Sequence, residues 1–186
     1  MTISVDVLAP MSGARLWGFL EKAKTIRVAS AQADMPITIS PARFVVRGES
    51  LYVAFDPVVG DPGQTPTVDA VHVANIAAGA HVSGVVDEGD EVDNVRAACF
   101  TGRGKAVTDP ALVDELLDRS AEKYFYVGHP HLEYYFSTGA VRARVWCELV
   151  PDKVSGWDLR DLPQPPISDL LTFPDHLKSQ SEHPGQ

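Results

Sequence analysis

The sequence predicts a mainly β protein, a six-stranded antiparallel Greek-key barrel with helices packed outside it. Six runs of strand length are present, and two of them, 25–31 and 140–150, alternate apolar and polar residues as half-buried strands do. Most successive runs are joined by short turns, and one long helical segment separates the fifth run from the last, which suits a Greek-key barrel. No glycine-rich turn joins a strand to a helix, so a dinucleotide-binding α/β fold is only weakly indicated.

The first half of the chain predicts one helix followed by three strands. The helix begins after Ser12, a suitable N-cap residue. Its apolar stripe consists of Leu16, Phe19, Leu20 and Ala23. Strands are expected over 25–31, 37–46 and 51–55, with a hairpin turn between the last two. Prolines and glycines then crowd residues 56–69, which predicts a loop.

The second half begins with a short helix over 70–79. Asp69 is its expected N-cap, and Gly79 its expected C-terminal stop. Strands follow over 80–86 and 95–107, joined by an acidic hairpin tip, and the glycines of the second strand predict bulges or tight bends.

The last two elements are predicted most clearly. Asp109 and Pro110 begin a helix over 108–125, with proline at its first position. Strict alternation over 140–150 then predicts the final strand, with Arg142, Arg144 and Trp146 on one side.

Composition limits the classes of partner. The 186 residues carry a net charge of −9, which argues against nucleic acid or an anionic membrane as a partner. Cys99 and Cys147 are expected to be free thiols, and no apolar run suits a leader or a membrane span. We therefore expect a cytoplasmic protein with one barrel domain over 1–162 and a proline-rich tail over 163–186.

Five segments resemble the pyridoxamine 5′-phosphate oxidase-like, FMN-binding split-barrel family. They occur in the family's order between about residues 12 and 160. The segments are "IRVASAQADMPITISPARFVV", "GESLYVAFDP", "ANIAAGAHVSGVVDEGD", "FTGRGKAVTDP" and "LVPDKVSGWDLRDL". The resemblance implies a split barrel and a homodimer with two cofactor sites at the subunit interface. It also implies FMN, a deazaflavin or, in some branches, haem as the cofactor.

The resemblance also implies which residues hold the cofactor. Positions of two strands, the short helix and the last motif match the family's contacts. They are Arg27, Val28, Ala29, Ser30, Ala54, Phe55, His72, Asn75 and Trp157. Arg27 suits a phosphate or ring-edge oxygen because guanidinium binds such oxygens in pairs. The alternatives are an exposed strand arginine at 27 and a packed tryptophan at 157.

The short helix departs from the family's pattern. Counted back from Asn75, the position of a phosphate-binding lysine holds His72, which is either a ligand contact or a packed histidine. The preceding loop is longer and brings Asp69, whose charge would repel phosphate at the start of the helix. Ordinary FMN binding is therefore less strongly indicated.

Other residue groups carry weaker hypotheses. His129, His131 and Glu133 alternate and could face a metal, although an aromatic lid that includes Tyr134, Tyr135 and Phe136 is favoured instead. A ligand role for Arg142, Arg144 and Trp146 competes with a solvated face, and Lys105 is expected to be solvated. No nucleophile elbow and no calcium-loop pattern is present.

Two functions remain at this point. The first is an FMN-dependent oxidoreductase acting on a small molecule, in which the cofactor supplies the chemistry and no side chain need act as an acid or base. The second is a non-catalytic protein of the same fold that binds flavin, deazaflavin or haem.

Overall fold

The computed structural model describes residues 9–56, 67–91, 93–126, 128–133 and 144–162. The predictions for Arg142, for the lid residues 134–136 and for the tail over 163–186 lie outside this part of the chain. The elements in chain order are β1 (Pro10–Met11), α1 (Gly13–Lys22), β2 (Ile26–Ala31), β3 (Thr38–Arg47), β4 (Ser50–Phe55), α2 (Val68–Ala77), β5 (His81–Glu88), β6 (Arg96–Ala106), α3 (Pro110–Tyr124), β7 (Val145–Asp158) and a 3-10 turn (Leu159–Asp161).

The strands form the predicted closed barrel. They follow the order β1-β7-β4-β3-β2-β5-β6, and β6 pairs in turn with β7, so that the six long strands close on themselves. Every pairing is antiparallel. Closure removes the free edges that would otherwise expose unpaired backbone groups. A register shift between Thr101 and Gly102 confirms the predicted irregularity in β6.

Two helices pack against opposite ends of the barrel. Leu16 of α1 lies against Gly156, where β7 ends, and Ile76 of α2 lies against Gly104, near the end of β6. The two strands are antiparallel, so these contacts are at opposite ends. Both side chains are nearly fully buried in the barrel core.

Helix α3 covers the outer face of β3, β4 and the first half of β7. A second apolar cluster forms there from Val45, Tyr52, Leu116, Leu117 and Trp146. The predicted start of this helix is confirmed, because Asp109 is its N-cap and accepts a hydrogen bond from Ala111 N at 3.0 Å. Helix α3 therefore occupies this side of the barrel exterior.

Two local predictions need correction. The N-cap of α2 is Thr67, whose hydroxyl accepts from Ala70 N at 3.2 Å, whereas Asp69 lies in the first turn and accepts from Asp56 N at 2.8 Å. Ser12 is the N-cap residue of α1, as predicted, although its side chain makes no capping bond. Strand β7 continues to Asp158, beyond the predicted end at residue 150, because it pairs with β6 past Pro151. No helix in the described part of the chain is long and apolar enough to cross a membrane.

Candidate functional site

The alternation of β2 divides the predicted cofactor residues into two groups. Val28 and Ser30 point into the barrel, whereas Arg27 is exposed and Ala29 is half-buried on the outside. The two sides of one strand cannot contact the same ligand through their side chains. The candidate residues therefore form an interior cluster and an exterior surface.

The interior cluster joins β2 to α2 through hydrogen bonds. Ser30 Oγ lies 2.8 Å from His72 Nδ1 and accepts from Asn75 Nδ2 at 3.0 Å. Gln32 donates to Asn75 Oδ1 at 3.0 Å. The His72 ring also stacks on Phe55, with centroids 5.2 Å apart. Four of the predicted residues are thus brought together, inside the barrel end that α2 closes.

His72 is fully buried in this cluster. Burial lowers its pKa, and nearby Asp69 offsets this only in part, so the neutral ring is favoured at neutral pH. Ser30 Oγ accepts from Asn75 and can still either donate to His72 Nδ1 or accept from it, so both neutral tautomers of the ring are compatible with this hydrogen bond. Within the described chain Nε2 has no hydrogen-bond partner. A direct contact between His72 and a ligand stays a prediction, and it requires α2 to move.

Arg27 lies on the outer face and forms an ion pair with Asp87 of β5. Both side chains are about half exposed, at 50% and 44%. The guanidinium is therefore accessible, but an anionic ligand must compete with a carboxylate for it. The sequence predicts Asp87 only as part of an acidic hairpin tip. The signal available was its place one residue beyond the inward-facing Val86, which puts it on the outer face of β5.

The outward side chains around Arg27 are small. We call the outward side of β2, β5 and β6 the β2–β5–β6 face. Its outward positions beside Arg27 are Ala29, Ser83, Val85 and Cys99, aligned by the pairs Ala29↔Ser83, Arg27↔Val85 and Val85↔Cys99. Trp157 of β7 extends this face, since it pairs with Ala97 of β6. Such a surface leaves room for a planar ring.

Ala54 and the Arg144–Trp146 side of β7 do not belong to the β2–β5–β6 face. Ala54 packs against the cluster under α3, where Trp146 is buried at 3% exposure. Arg144 lies 4.0 Å from Asp56. The ligand role considered for Trp146 is wrong for this structure, because α3 covers its ring.

The remaining predicted groups are accounted for by local contacts. Lys105 is 68% exposed and pairs with Glu148 at 2.8 Å, as expected for a solvated lysine. His129 packs edge-on against Phe125 and Tyr126. Among the residues that the structure describes, no three His, Cys, Asp or Glu side chains are grouped to hold a metal ion. Cys99 and Cys147 are free thiols, as predicted.

The fold is that of the pyridoxamine 5′-phosphate oxidase-like split barrels. A conserved hypothetical protein from Mycobacterium tuberculosis is similar at 20% identity and a TM-score of 0.67, covering 89% of this chain and 96% of the other. The haem storage protein HutZ from Vibrio cholerae matches at 16% identity and a TM-score of 0.56, covering 78% and 95%. An FAD-binding protein from Mesorhizobium loti matches at 16% identity and 0.54, covering 79% and 93%.

No protein-family model and no curated protein matches the chain. At these identities the structural neighbours establish the fold alone.

The residues present fit one part of a flavin better than the other. The β2–β5–β6 face suits the ring, since small outward side chains flank an accessible arginine. The expected phosphate contacts fit less well, because Arg27 is paired with Asp87 and His72 is buried and favoured neutral. To bind a ligand phosphate, Arg27 would have to break its ion pair with Asp87.

Proposed function

We propose that the chain binds a flavin, FMN in the first instance, on the β2–β5–β6 face and acts as a flavin-dependent oxidoreductase on a small molecule. The observation that carries the proposal is the accessible guanidinium of Arg27 beside the small side chains of that face. A solved relative of the same fold binds FAD, which supports this class of ligand. The bound flavin would supply the electron-transfer chemistry, and the chain's residues would bind and orient it.

The proposal includes a homodimer that covers the same side of the barrel. Met35, Ile37 and Ile39, in the β2–β3 hairpin and the start of β3, are 63%, 69% and 65% exposed. Ile39 pairs directly with Ala29 of the β2–β5–β6 face. A second copy on this hairpin would bury these side chains and enclose the ligand, which is how exposed apolar patches are commonly used.

A paired set of variants tests the binding site. Arg27→Ala should weaken FMN binding roughly tenfold to hundredfold, the loss of one charge-assisted hydrogen bond of about 1.5–3 kcal/mol. Asp87→Asn should tighten it, because the variant releases Arg27 and removes a repelling charge. Arg47→Ala is the matched control, since Arg47 is also an exposed, ion-paired strand arginine but lies beside α3. Fluorescence titration with FMN measures the affinities of the wild type and the three variants.

The alternative is a non-catalytic carrier of flavin, deazaflavin or haem. The observation that favours it is the buried, neutral-favoured His72 at the position where the family has a phosphate-binding lysine. HutZ is a haem storage protein of the same fold. Absorption spectra separate the ligands, because haem gives a Soret band and flavins do not. A protein that takes up haem but neither FMN nor a deazaflavin would overturn the first proposal and support the second.

A further inference from the structure

A cleft of about 440 Å³ lies between the end of α1 and the last turns of α3, away from the β2–β5–β6 face. We call it the α1–α3 cleft. Four cations, Lys22, Lys24, Arg119 and Lys123, and two carboxylates, Glu21 and Glu122, line it, and β3 contributes an apolar wall. In a chain with a net charge of −9, this local excess of positive charge favours an anion.

Lys123 is held in the wall of this cleft. Its Nζ lies 3.7 Å from the centroid of the Phe44 ring and donates to Leu20 O, in the last turn of α1, at 3.3 Å. Lys24 lies beside it and donates to the Lys123 carbonyl oxygen. The amine is therefore positioned by Phe44 and Leu20, and a second ammonium group, that of Lys24, lies near enough to act on its charge.

These surroundings act on the protonation of Lys123 in opposite directions. Burial, foremost, and the charge of Lys24 lower the pKa of Lys123, and Glu21 and Glu88 oppose them, which together leaves it at about 7. The Phe44 ring and the Leu20 carbonyl act on the side of the ammonium form. Near neutral pH a large share of the amine is uncharged, and an uncharged amine is a nucleophile.

We propose that the α1–α3 cleft is a covalent site for a small anionic aldehyde, with Lys123 as the attacking amine and the flanking cations as partners of the carboxylate. The Lys123 nitrogen forms a bond to the aldehyde carbon, the carbonyl oxygen leaves as water with two protons from nitrogen, and an imine results. No oxidation or reduction occurs in this step. Arg119 lies one helical turn before Lys123 and so shares its side of α3.

Reductive trapping with glyoxylate and cyanoborohydride tests the site. At pH 7, a pKa of about 7 leaves about half of the Lys123 amine uncharged, against roughly one part in 2,500 for an unperturbed lysine. Peptide mass spectrometry should therefore find Lys123 carboxymethylated at least about tenfold faster than the exposed Lys105 and Lys153. Equal rates at the three lysines would overturn the proposal.

A second comparison tests the anionic character of the ligand. Formaldehyde, which is neutral, should label Lys123 selectively in the wild type and equally well in a Lys22→Gln/Arg119→Gln variant. Glyoxylate labelling of Lys123 should fall about fivefold or more in that variant. An unchanged glyoxylate rate would contradict the role of the cations and with it the proposed ligand class. Lys123→Arg, which keeps the charge, should lose the labelled peptide.

Discussion

At the residue scale, His72 shows how far a single position could be predicted. The sequence places it correctly in the first half of a short helix, but the direction of its side chain depends on the pairing of α2 with the barrel end. Only the tertiary structure brings Ser30 and Phe55 to its two sides. The hydroxyl bond and the stacked ring then make it an interior group with a lowered pKa.

His72 should make the protein sensitive to mild acid. Its pKa is lower in the folded chain than its usual value of about 6.5, so its contribution to stability is complete above that pH and decreases as the pH falls below it. The slope for one proton is at most about 1.4 kcal/mol per pH unit. Denaturant unfolding between pH 8 and 5 should show a weaker pH dependence in His72→Gln than in the wild type.

The control for that experiment is His81→Gln, because His81 is exposed at the start of β5. This variant should keep the wild-type pH dependence. Should His72→Gln also keep it, the histidine is not the titrating group and the interior placement of its ring is contradicted.

Asp158 is a second residue whose role depends on the folded structure. Its side chain is fully buried and accepts hydrogen bonds from Arg160 at 2.5 Å and from Arg15 at 2.7 Å. These guanidinium groups, Arg160 foremost, hold its pKa well below the usual range. The carboxylate thereby connects α1 to the end of β7.

Replacing Asp158 by Asn should therefore lower the free energy of unfolding by about 1.5–3 kcal/mol, because two half-exposed arginines lose a buried, charged hydrogen-bond partner. Asp161→Asn is the matched control. Asp161 also binds Arg15 but is 42% exposed, so about 1 kcal/mol or less is expected. Urea unfolding of the two variants measures the difference, and equal losses would mean that burial does not distinguish the carboxylates.

At the element scale, most strands and helices could be predicted because their patterns are local. Alternation defines β2, a short apolar run after a hairpin turn defines β4, and Asp109 with Pro110 defines the start of α3. The wrong predictions concern boundaries that depend on a pairing partner from a distant segment. β7 continues through Pro151 because β6 pairs with it on both sides of a register shift that leaves Asp152 of β7 as the extra residue, and Gly102 leaves space for the close Val150 carbonyl.

The candidate site could be predicted less completely than its elements. Alternation alone separates Arg27 from Val28, but the sequence cannot show which side of the barrel a helix covers. The burial of Trp146 under α3 and the pairing of Arg27 with Asp87 are both contacts between distant segments. In the described part of the chain, these contacts leave the β2–β5–β6 face without a covering helix.

The capping of the helices gives a test of the corrected element boundaries. Thr67→Ala should destabilise the protein by about 1 kcal/mol, since the hydroxyl that caps α2 is lost. Ser12→Ala should have a much smaller effect, because Ser12 makes no side-chain capping bond at α1. Thermal unfolding measures both, and a larger loss from Ser12→Ala would contradict these cap assignments.

At the scale of the whole molecule, the two sides of the described barrel differ in what covers them. Helix α3 packs on one half, whereas the β2–β3 hairpin presents three exposed apolar side chains on the other. The proposed dimer accounts for this asymmetry. Sedimentation should give a dimer for the wild type and a monomer for Ile39→Glu.

The matched control is Val150→Glu, because Val150 is an exposed apolar strand residue outside that hairpin. This variant should remain dimeric. A wild-type monomer at micromolar concentration would contradict the proposed dimer. A dimer that persists in Ile39→Glu would mean that the two copies contact each other outside this hairpin.

The central claim is that the β2–β5–β6 face holds a flavin ring, and an FMN titration of Ala29→Trp tests it most directly. Ala29 is half-buried and points outward, so an indole there blocks the face without entering the core. We predict saturable FMN binding by the wild type and at least about tenfold weaker binding by the variant, with both proteins equally folded by circular dichroism. Equal FMN affinities, or no FMN binding by the wild type, would contradict the claim.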